Sequence, residues 1–463
     1  MYEAKQGTLC IIQEIYMNNY VNSTIELLNK KYPNEPEFVQ AVSEVLESVD
    51  ELFDDNSIYT KANLLQRLIV PDRIITFKVV WEDDNHQLQV NTGYRVQFNN
   101  AVGPYKGGLR FNPSVNLSIL KFLGFEQIFK NALTTLPIGG AKGGSDFDPK
   151  GKSDGEIFRF CQAFMQELYK YIGPNEDVPA GDMGVGAREI GYLYGVYKKL
   201  TSISHLGVLT GKPLGMGGSL VRKEATGFGL IYFVEKVCQA HNIDYHGINT
   251  IISGSGNVAI YAAQKAMEKG FNVIGMSDSK GYILDENLNL DIIKTIKEVN
   301  RSTLKDYVDL AHSGRYFEGS IYDDDSIHAQ IVLPCAKENE INEARALRLV
   351  KNGTLLVGEG ANMPSDNQAI NVYKRNGIIY CPGKAANAGG VATSCLEMGQ
   401  NARFYFDSFD IVDKQLESIM GRIFEQCVDA MKYYHIDRKD YQKGANLAAM
   451  KKVCDSMLAQ GEF

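Results

Sequence analysis

Between residues 21 and 56, apolar side chains recur at intervals of three and four: Ile25, Leu27 and Leu28, then Phe38, Val42, Val45, Leu46 and Val49. That period is helical. Pro33 and Pro36 divide the stretch into two helices. From residue 71 the period shortens to two. Residues 74–81 and 88–98 read as β-strands joined across Asp83-Asp84-Asn85, a hairpin signal. Val90, Thr92, Tyr94, Val96 and Phe98 alternate as though one face is buried. Asn112-Pro113-Ser114 opens a helix to about residue 131, with Leu117, Leu120, Leu123, Phe125 and Ile128 on its apolar positions. Residues 139–144 read as a tight glycine loop. Ser153 caps a helix to about residue 171, Gly173-Pro174-Asn175 leads into a loop bearing Asp182, and a further helix covers 187–200.

Near 205–220 the texture turns to glycine and proline (Gly211, Pro213, Gly215, Gly217, Gly218), which marks a cleft and a crossing into a second domain. Beyond it, 224–240 is helical and 248–252 is a buried-strand run. A helix to about 269 follows, then a strand at 271–276 and candidate strands at 329–333, 354–357 and 377–380, with helical segments between them. Strand–helix alternation of this kind predicts a doubly wound parallel sheet. After 386 the chain reads as helical. At 463 residues it exceeds what one core serves, so two domains are expected.

Composition narrows the classes. With 44% hydrophobic and 22% charged residues, low-complexity disorder is excluded. A net charge of −8 lacks the basic footprint of a nucleic-acid binder. The eight cysteines form no Cys-x-x-Cys pair, and no histidine-rich pattern stands out among seven histidines, so no metal site is expected. Residues 1–7 hold no signal-like apolar stretch, and the longest apolar run, 228–234, is far short of a membrane span. A reducing, cytoplasmic setting with free thiols is the expectation, with neither membrane nor nucleic acid as partner.

Against an acidic background, three lysines stand in glycine- or amide-rich settings: Lys106 in Gly-Pro-Tyr-Lys-Gly-Gly, Lys130 in Glu-Gln-Ile-Phe-Lys-Asn and Lys142 in Gly-Gly-Ala-Lys-Gly-Gly. Glycine lets a ligand approach the backbone closely. Gln127 lies three residues before Lys130, on the same helix face. An anionic substrate held by ammonium groups follows, with Asp182 moving a proton. A desolvated ammonium among others has its pKa driven down and can then act near neutral pH. Gly151-Lys152-Ser153 matches the tail of a phosphate-binding P-loop, but Asp146 stands where that motif requires glycine, so it is excluded.

A dinucleotide fingerprint, Gly254-Ser255-Gly256-Asn257-Val258-Ala259, follows a predicted strand and opens a predicted helix. Asp278 lies at the distance of the acid that takes a ribose 2′-hydroxyl. Its neighbours Ser277, Ser279 and Lys280, with Lys297 and Arg301 downstream, instead suit a 2′-phosphate. NADP is therefore the expected cofactor, with NAD as the alternative.

Six stretches together resemble the glutamate dehydrogenases: Pro-Tyr-Lys-Gly-Gly-Leu-Arg-Phe (104–111), Leu-Pro-Ile-Gly-Gly-Ala-Lys-Gly-Gly (136–144), Pro-Ala-Gly-Asp-Met-Gly-Val-Gly (179–186), Gly-Gly-Ser-Leu-Val-Arg-Lys-Glu-Ala-Thr-Gly (217–227), Glu-Gly-Ala-Asn-Met-Pro (359–364) and Ala-Asn-Ala-Gly-Gly-Val-Ala-Thr-Ser (386–394). The likeness is to the hexameric small-subunit type and spans nearly the whole chain. It implies an α/β architecture: an N-terminal α/β substrate-binding and oligomerisation domain, a Rossmann-like doubly wound dinucleotide-binding domain, and C-terminal helices returning to the first. The boundaries expected are 1–205 with 425–463, and 206–424.

The resemblance also implies roles. Lys106 and Ser394 hold the side-chain carboxylate of glutamate, and Lys130 with Gln127 holds its α-carboxylate. Lys142 polarises the carbonyl and activates water, and Asp182 shuttles protons at the nitrogen. Thr226 and Asn362 position the nicotinamide, while Arg222 and Asn387 support the cleft. Cys395 stands where the family often has a smaller residue. The rival readings are a branched-chain or aromatic amino-acid dehydrogenase on the same scaffold, which needs no partner for a second carboxylate, and a catalytically silent NADP-binding protein.

Overall fold

A computed structural model of the chain describes residues 18–54 and 57–461. Residues 1–7, Cys10 and positions 55–56, onto which the first helical reading extended, lie outside the described residues. The chain opens with α1 (Asn19–Lys31) and α2 (Pro36–Glu47). A first sheet then begins with β1 (Arg73–Glu82), β2 (Leu88–Asn99) and β3 (Tyr105–Phe111). The helix α3 (Leu117–Leu133) leads to β4 (Gly140–Ser145), α4 (Asp154–Leu168), β5 (Asp177–Gly181) and α5 (Ala187–Thr201). After the glycine-rich crossing come α6 (Ala225–Ala240), β6 (Asn249–Ser253), α7 (Asn257–Glu268), β7 (Asn272–Ser277), β8 (Gly281–Leu284), β9 (Arg315–Glu318) and β10 (Ile331–Pro334). The remainder is α8 (Glu343–Lys351), β11 (Leu356–Gly358), α9 (Asn367–Arg375), β12 (Ile379–Cys381), α10 (Gly389–Arg403), α11 (Phe409–Tyr433) and α12 (Tyr441–Ala459).

The first sheet has the order β1-β2-β4-β3-β5. Helix α3 lies on one face and the α4–α5 layer on the other, where Leu109 and Phe111 of β3 meet Phe147, Phe160 and Phe164. One expectation is corrected here. Of the stretch 139–144 expected as a loop, residues 140–144 lie in the central strand β4; Lys106 lies inside β3. The glycines serve packing. A Cβ on Gly140 would come within 2.6 Å of Ile128 in α3, and one on Gly107 within 1.6 Å of the carbonyl oxygen of Ala141. Strand β2 also departs from simple alternation. Val90 is exposed, whereas residues 95–99 are buried on both faces, because α3 covers one side and the 171–177 segment the other. There Arg95 and Asp177 form a fully buried two-pronged ion pair at 2.5 and 2.9 Å.

The helix expected to open at Asn112 starts later. Residues 112–115 form a turn, and Asn116 caps α3 by accepting the Ile119 N–H at 2.9 Å. Ser153 caps α4 as expected, in a reciprocal pair with Glu156.

The second sheet has the order β12-β11-β10-β6-β7-β8-β9. The run from β12 to β7 is parallel, and β8 and β9 close one edge antiparallel. Helices α6 and α7 cover one face and α8 and α9 the other. The expected boundary at 424/425 falls inside α11, one continuous helix that packs against α6 and α12; α12 then returns to α3. Among the described residues no helix is long and apolar enough to cross a membrane.

Candidate active site

A cleft of about 600 Å³ lies between the two sheets. Its wall takes in Lys106, Gln127, Lys130, Lys142, Asp182, Arg222, Thr226, Val258, Asn362, Asn387 and Ser394, so every expected substrate and catalytic residue reaches one cavity. Period-two geometry explains part of this. Lys106, Gly108 and Arg110 share one face of β3, and Lys142 shares a face of β4 with Gly140 and Gly144. Gly124 of α3 packs beneath Lys142, and the same helix presents Gln127 and Lys130 one turn further on.

Lys142 Nζ and Asp182 Oδ2 are 2.7 Å apart. Asp182 stands just beyond the end of β5 and also accepts from Arg110 Nε at 3.2 Å. Burial alone would raise its carboxyl, but the Lys142 ammonium and the Arg110 guanidinium outweigh that and hold it at about 2. Gly108 makes the room: a Cβ there would come within 2.8 Å of Asp182 Cβ. Arg110 escaped the sequence reading, although its alternation with Lys106 was a usable signal.

Lys106 and Lys130 both have a depressed pKa. Lys106 is buried, which with the charge of Arg95 brings it down to about 7. It donates to Val178 O at 3.1 Å and Thr210 Oγ1 at 2.8 Å, leaving one donor for a ligand. Thr210 was also missed; the glycine-rich crossing concealed it. Lys130 is brought down to about 8 by burial and then by Lys142. Its ammonium donates to Asn387 Oδ1 at 2.5 Å. Asn387 in turn donates Nδ2 to Ala361 O (2.9 Å) and Asn362 Oδ1 (3.1 Å). Gln127 donates Nε2 to Asn131, which ties back to the carbonyls of Lys106 and Gly139. Arg222 keeps a buried Nε without a protein partner, and burial lowers its pKa. Burial lifts the Cys395 thiol to about 11, against the pull of Lys106, so it stays neutral at pH 7.

The fingerprint turn suits a dinucleotide. Gly254 has φ +89°, open to glycine at little cost. Gly256 begins α7, and a Cβ there would meet nothing within 4 Å. Beside Ser255, Asn257 and Val258, the first N–H groups of this helix have no partner within it, the arrangement that favours an anion at a helix N-terminus. Thr226, Val258 and Asn362 line the cleft itself. Farther along the sheet the expectation changes. Asp278 is only 5% exposed, and its carboxylate accepts the N–H groups of Leu304 (2.8 Å), Lys280 (2.9 Å) and Gly281 (3.2 Å), with Lys297 Nζ at 3.4 Å. Two of these donors belong to its own turn and two to the 297–304 segment. Ser279 and Arg301 are exposed beside it, and Lys297 also donates to Ser302 O. None of Asp278, Ser279, Lys297 and Arg301 lines the main cleft.

A Rossmann-type sheet facing a second α/β layer across a lysine-lined cleft defines a nucleotide-dependent dehydrogenase. Two family models match the chain: Glutamate/Leucine/Phenylalanine/Valine dehydrogenase over residues 217–461, and the Glu/Leu/Phe/Val dehydrogenase dimerisation domain over 71–199. The chain is 52% identical to an NAD(P)-specific glutamate dehydrogenase of Xylanibacter ruminicola over 95% of its length and 99% of that protein. It is 50% identical to an NAD-specific glutamate dehydrogenase of Porphyromonas gingivalis, over 94% of this chain and 98% of that one. The crystal structure of Plasmodium falciparum glutamate dehydrogenase superposes with a TM-score of 0.92 at 49% identity, covering 96% of this chain and 94% of that one. The chain belongs to the glutamate/leucine/phenylalanine/valine dehydrogenase family.

Proposed function

We propose that the protein interconverts L-glutamate, water and oxidised nicotinamide coenzyme with 2-oxoglutarate, ammonium, reduced coenzyme and a proton. The observation that carries this is the Lys142–Asp182 pair at 2.7 Å in the same cleft as Lys106 and Lys130, two further lysines that match the two carboxylates of glutamate. When bound, the coenzyme supplies the hydride exchange at Cα. Lys106 and Ser394 hold the side-chain carboxylate, and Lys130 with Gln127 holds the α-carboxylate. The Lys142 ammonium polarises the substrate oxygen and orients water for attack at the iminium carbon. Asp182, an anion at neutral pH, gains proton affinity once Lys142 turns to substrate, and so can take protons from nitrogen and return them. Thr226 and Asn362 orient the nicotinamide, and Arg222 and Asn387 brace the cleft. The substrate lobe and the dinucleotide lobe close on the substrate about the 205–220 crossing and exclude water.

The dinucleotide enters along Gly254, Ser255, Gly256, Asn257 and Val258. NADP is preferred, with Ser279, Lys297 and Arg301 offering hydroxyl and cations to a 2′-phosphate and Asp278 holding their turn in shape; NAD is the alternative. The dimerisation domain supports a homo-oligomer, and a hexamer in the cytoplasm is our reading, open to gel filtration and fractionation.

One assay tests the reaction and the coenzyme together: oxidation of NADPH and NADH with 2-oxoglutarate plus ammonium. Lys142→Ala lowers kcat by about 10²–10⁴-fold with the fold intact. Full turnover in that variant, or faster reduction of 2-oxoisocaproate than of 2-oxoglutarate, overturns the reading. A strong NADH preference overturns the coenzyme assignment alone. pH supplies a second test. A carboxylate favours the ammonium form of Lys106, whose pKa is brought down to about 7 in the free protein. Substrate binding therefore takes up a proton above that pH, and kcat/KM for 2-oxoglutarate falls as pH rises through it. Lys106→Met removes this limb of the pH–rate profile.

A further inference from the structure

Behind the Lys106 end of the cleft lies a fully buried ion pair that the proposed chemistry does not use. Lys212 Nζ and Glu397 Oε1 are 2.6 Å apart, and both side chains are 0% exposed. Lys212 also donates to Leu209 O (2.5 Å) and Asn401 Oδ1 (2.8 Å), which occupies all three of its hydrogens. Glu397 further accepts the N–H groups of Gly211 (2.9 Å) and Lys212 (3.4 Å). Asn401 donates Nδ2 to Gly217 O at 2.7 Å. The crossing segment 209–217 is thus fastened to one face of α10 at positions 397 and 401, one helical turn apart.

That segment carries Thr210, whose hydroxyl accepts from Lys106. Helix α10 carries Ser394, one turn before Glu397 on the same side. Lys106 comes from the first sheet and Ser394 from the far half of the chain. The hydrogen-bonded path between them runs through Thr210, the 209–212 backbone and Glu397. We propose that Glu397, paired with Lys212, is a positioning residue that holds Lys106 and Ser394 at the separation a side-chain carboxylate needs, and so sets the preference for dicarboxylic over monocarboxylic 2-oxo acids. The inference rests on the reading that Lys106 and Ser394 take that carboxylate. The charges agree with it. Glu397 neutralises Lys212 directly and attracts both Lys106 and Arg222 at longer range, partly opposing the effect of their burial.

The test compares kcat/KM for 2-oxoglutarate with that for 2-oxohexanoate, at saturating coenzyme and ammonium, in the full-length protein. Glu397→Gln raises KM for 2-oxoglutarate at least about tenfold with little change in kcat, as a small misplacement of a binding group does. The dicarboxylate-to-monocarboxylate ratio falls by the same factor, coenzyme affinity by fluorescence titration stays put, and Glu397→Asp recovers most of the ratio. A purely structural role lowers both substrates together, and an unchanged ratio overturns the proposal. If the single variant leaves Lys212 unpaired and does not fold, Glu397→Gln with Lys212→Met removes both charges and is read in the same way. Lys106→Met separates the two levels. If it leaves the ratio intact, the carboxylate reading fails. If it collapses the ratio while the Glu397 variants do not, only the positioning role falls.

Discussion

Residues 139–144 and 254–256 look alike in composition and are opposite in physical purpose. In the first, glycines lie in a central strand where neighbours press on them from helix α3 and from adjoining strands. In the second, one glycine turns the chain at φ +89° and another faces open space at a helix N-terminus. The first stretch brings protein against protein, so that Lys142 projects from a rigid strand. The second keeps protein away, so that a ligand can come in. Glycine richness therefore marks close approach without saying what approaches.

Alanine substitutions in β3, which packs against the first stretch, and in the second stretch test this contrast. Gly107→Ala places a Cβ into the Ala141 carbonyl of the neighbouring strand, which cannot move alone. A loss of more than about 4 kcal/mol is expected, enough to leave little folded protein; soluble yield and circular dichroism report it, and a normal unfolding curve would break the comparison. Gly108→Ala meets Asp182 Cβ, a side chain at the end of a strand that can give way. The fold survives at a cost of about 1–3 kcal/mol, while kcat falls about 100-fold because the Lys142–Asp182 geometry shifts. Unfolding melts and steady-state rates on one preparation separate the two effects. Gly256→Ala is the mildest, changing stability by no more than about 1 kcal/mol. Its effect lies in the coenzyme, whose affinity drops about tenfold, or 1.4 kcal/mol, in a fluorescence titration. Unchanged affinity there would show that the open space is not the ligand's.

Much of the second sheet was legible because its strands are short apolar runs and the helices between them have the right length. Caps were legible where the capping pair is local, as at Ser153 and Glu156. The first sheet was harder. Strands β3 and β4 each carry a Gly-Gly pair and β5 a proline, and glycine and proline are depleted from strands on average. Tertiary packing overrode that propensity, so residues 139–144, with Lys142, read as a loop. The four-residue strands β8 and β9 are too short for a period to show. Motif spacing named side chains that line the cleft. Arg110 could have been found by alternation with Lys106, whereas Thr210 and Glu397 owe their places to contacts across more than 100 residues of chain. Asp278 sat where the fingerprint predicts it, but no local pattern reveals that Leu304 N–H has already claimed its carboxylate.

The side chain of Asn387 touches both halves of the chemistry, accepting from Lys130 on one side and donating to Asn362 on the other. A single amide cannot answer to two neighbours independently. If Lys130 holds the α-carboxylate and Asn362 the nicotinamide, as proposed, drawing Lys130 away alters the bond to Asn362, and whatever factor one ligand lends to the other's affinity is returned in equal measure.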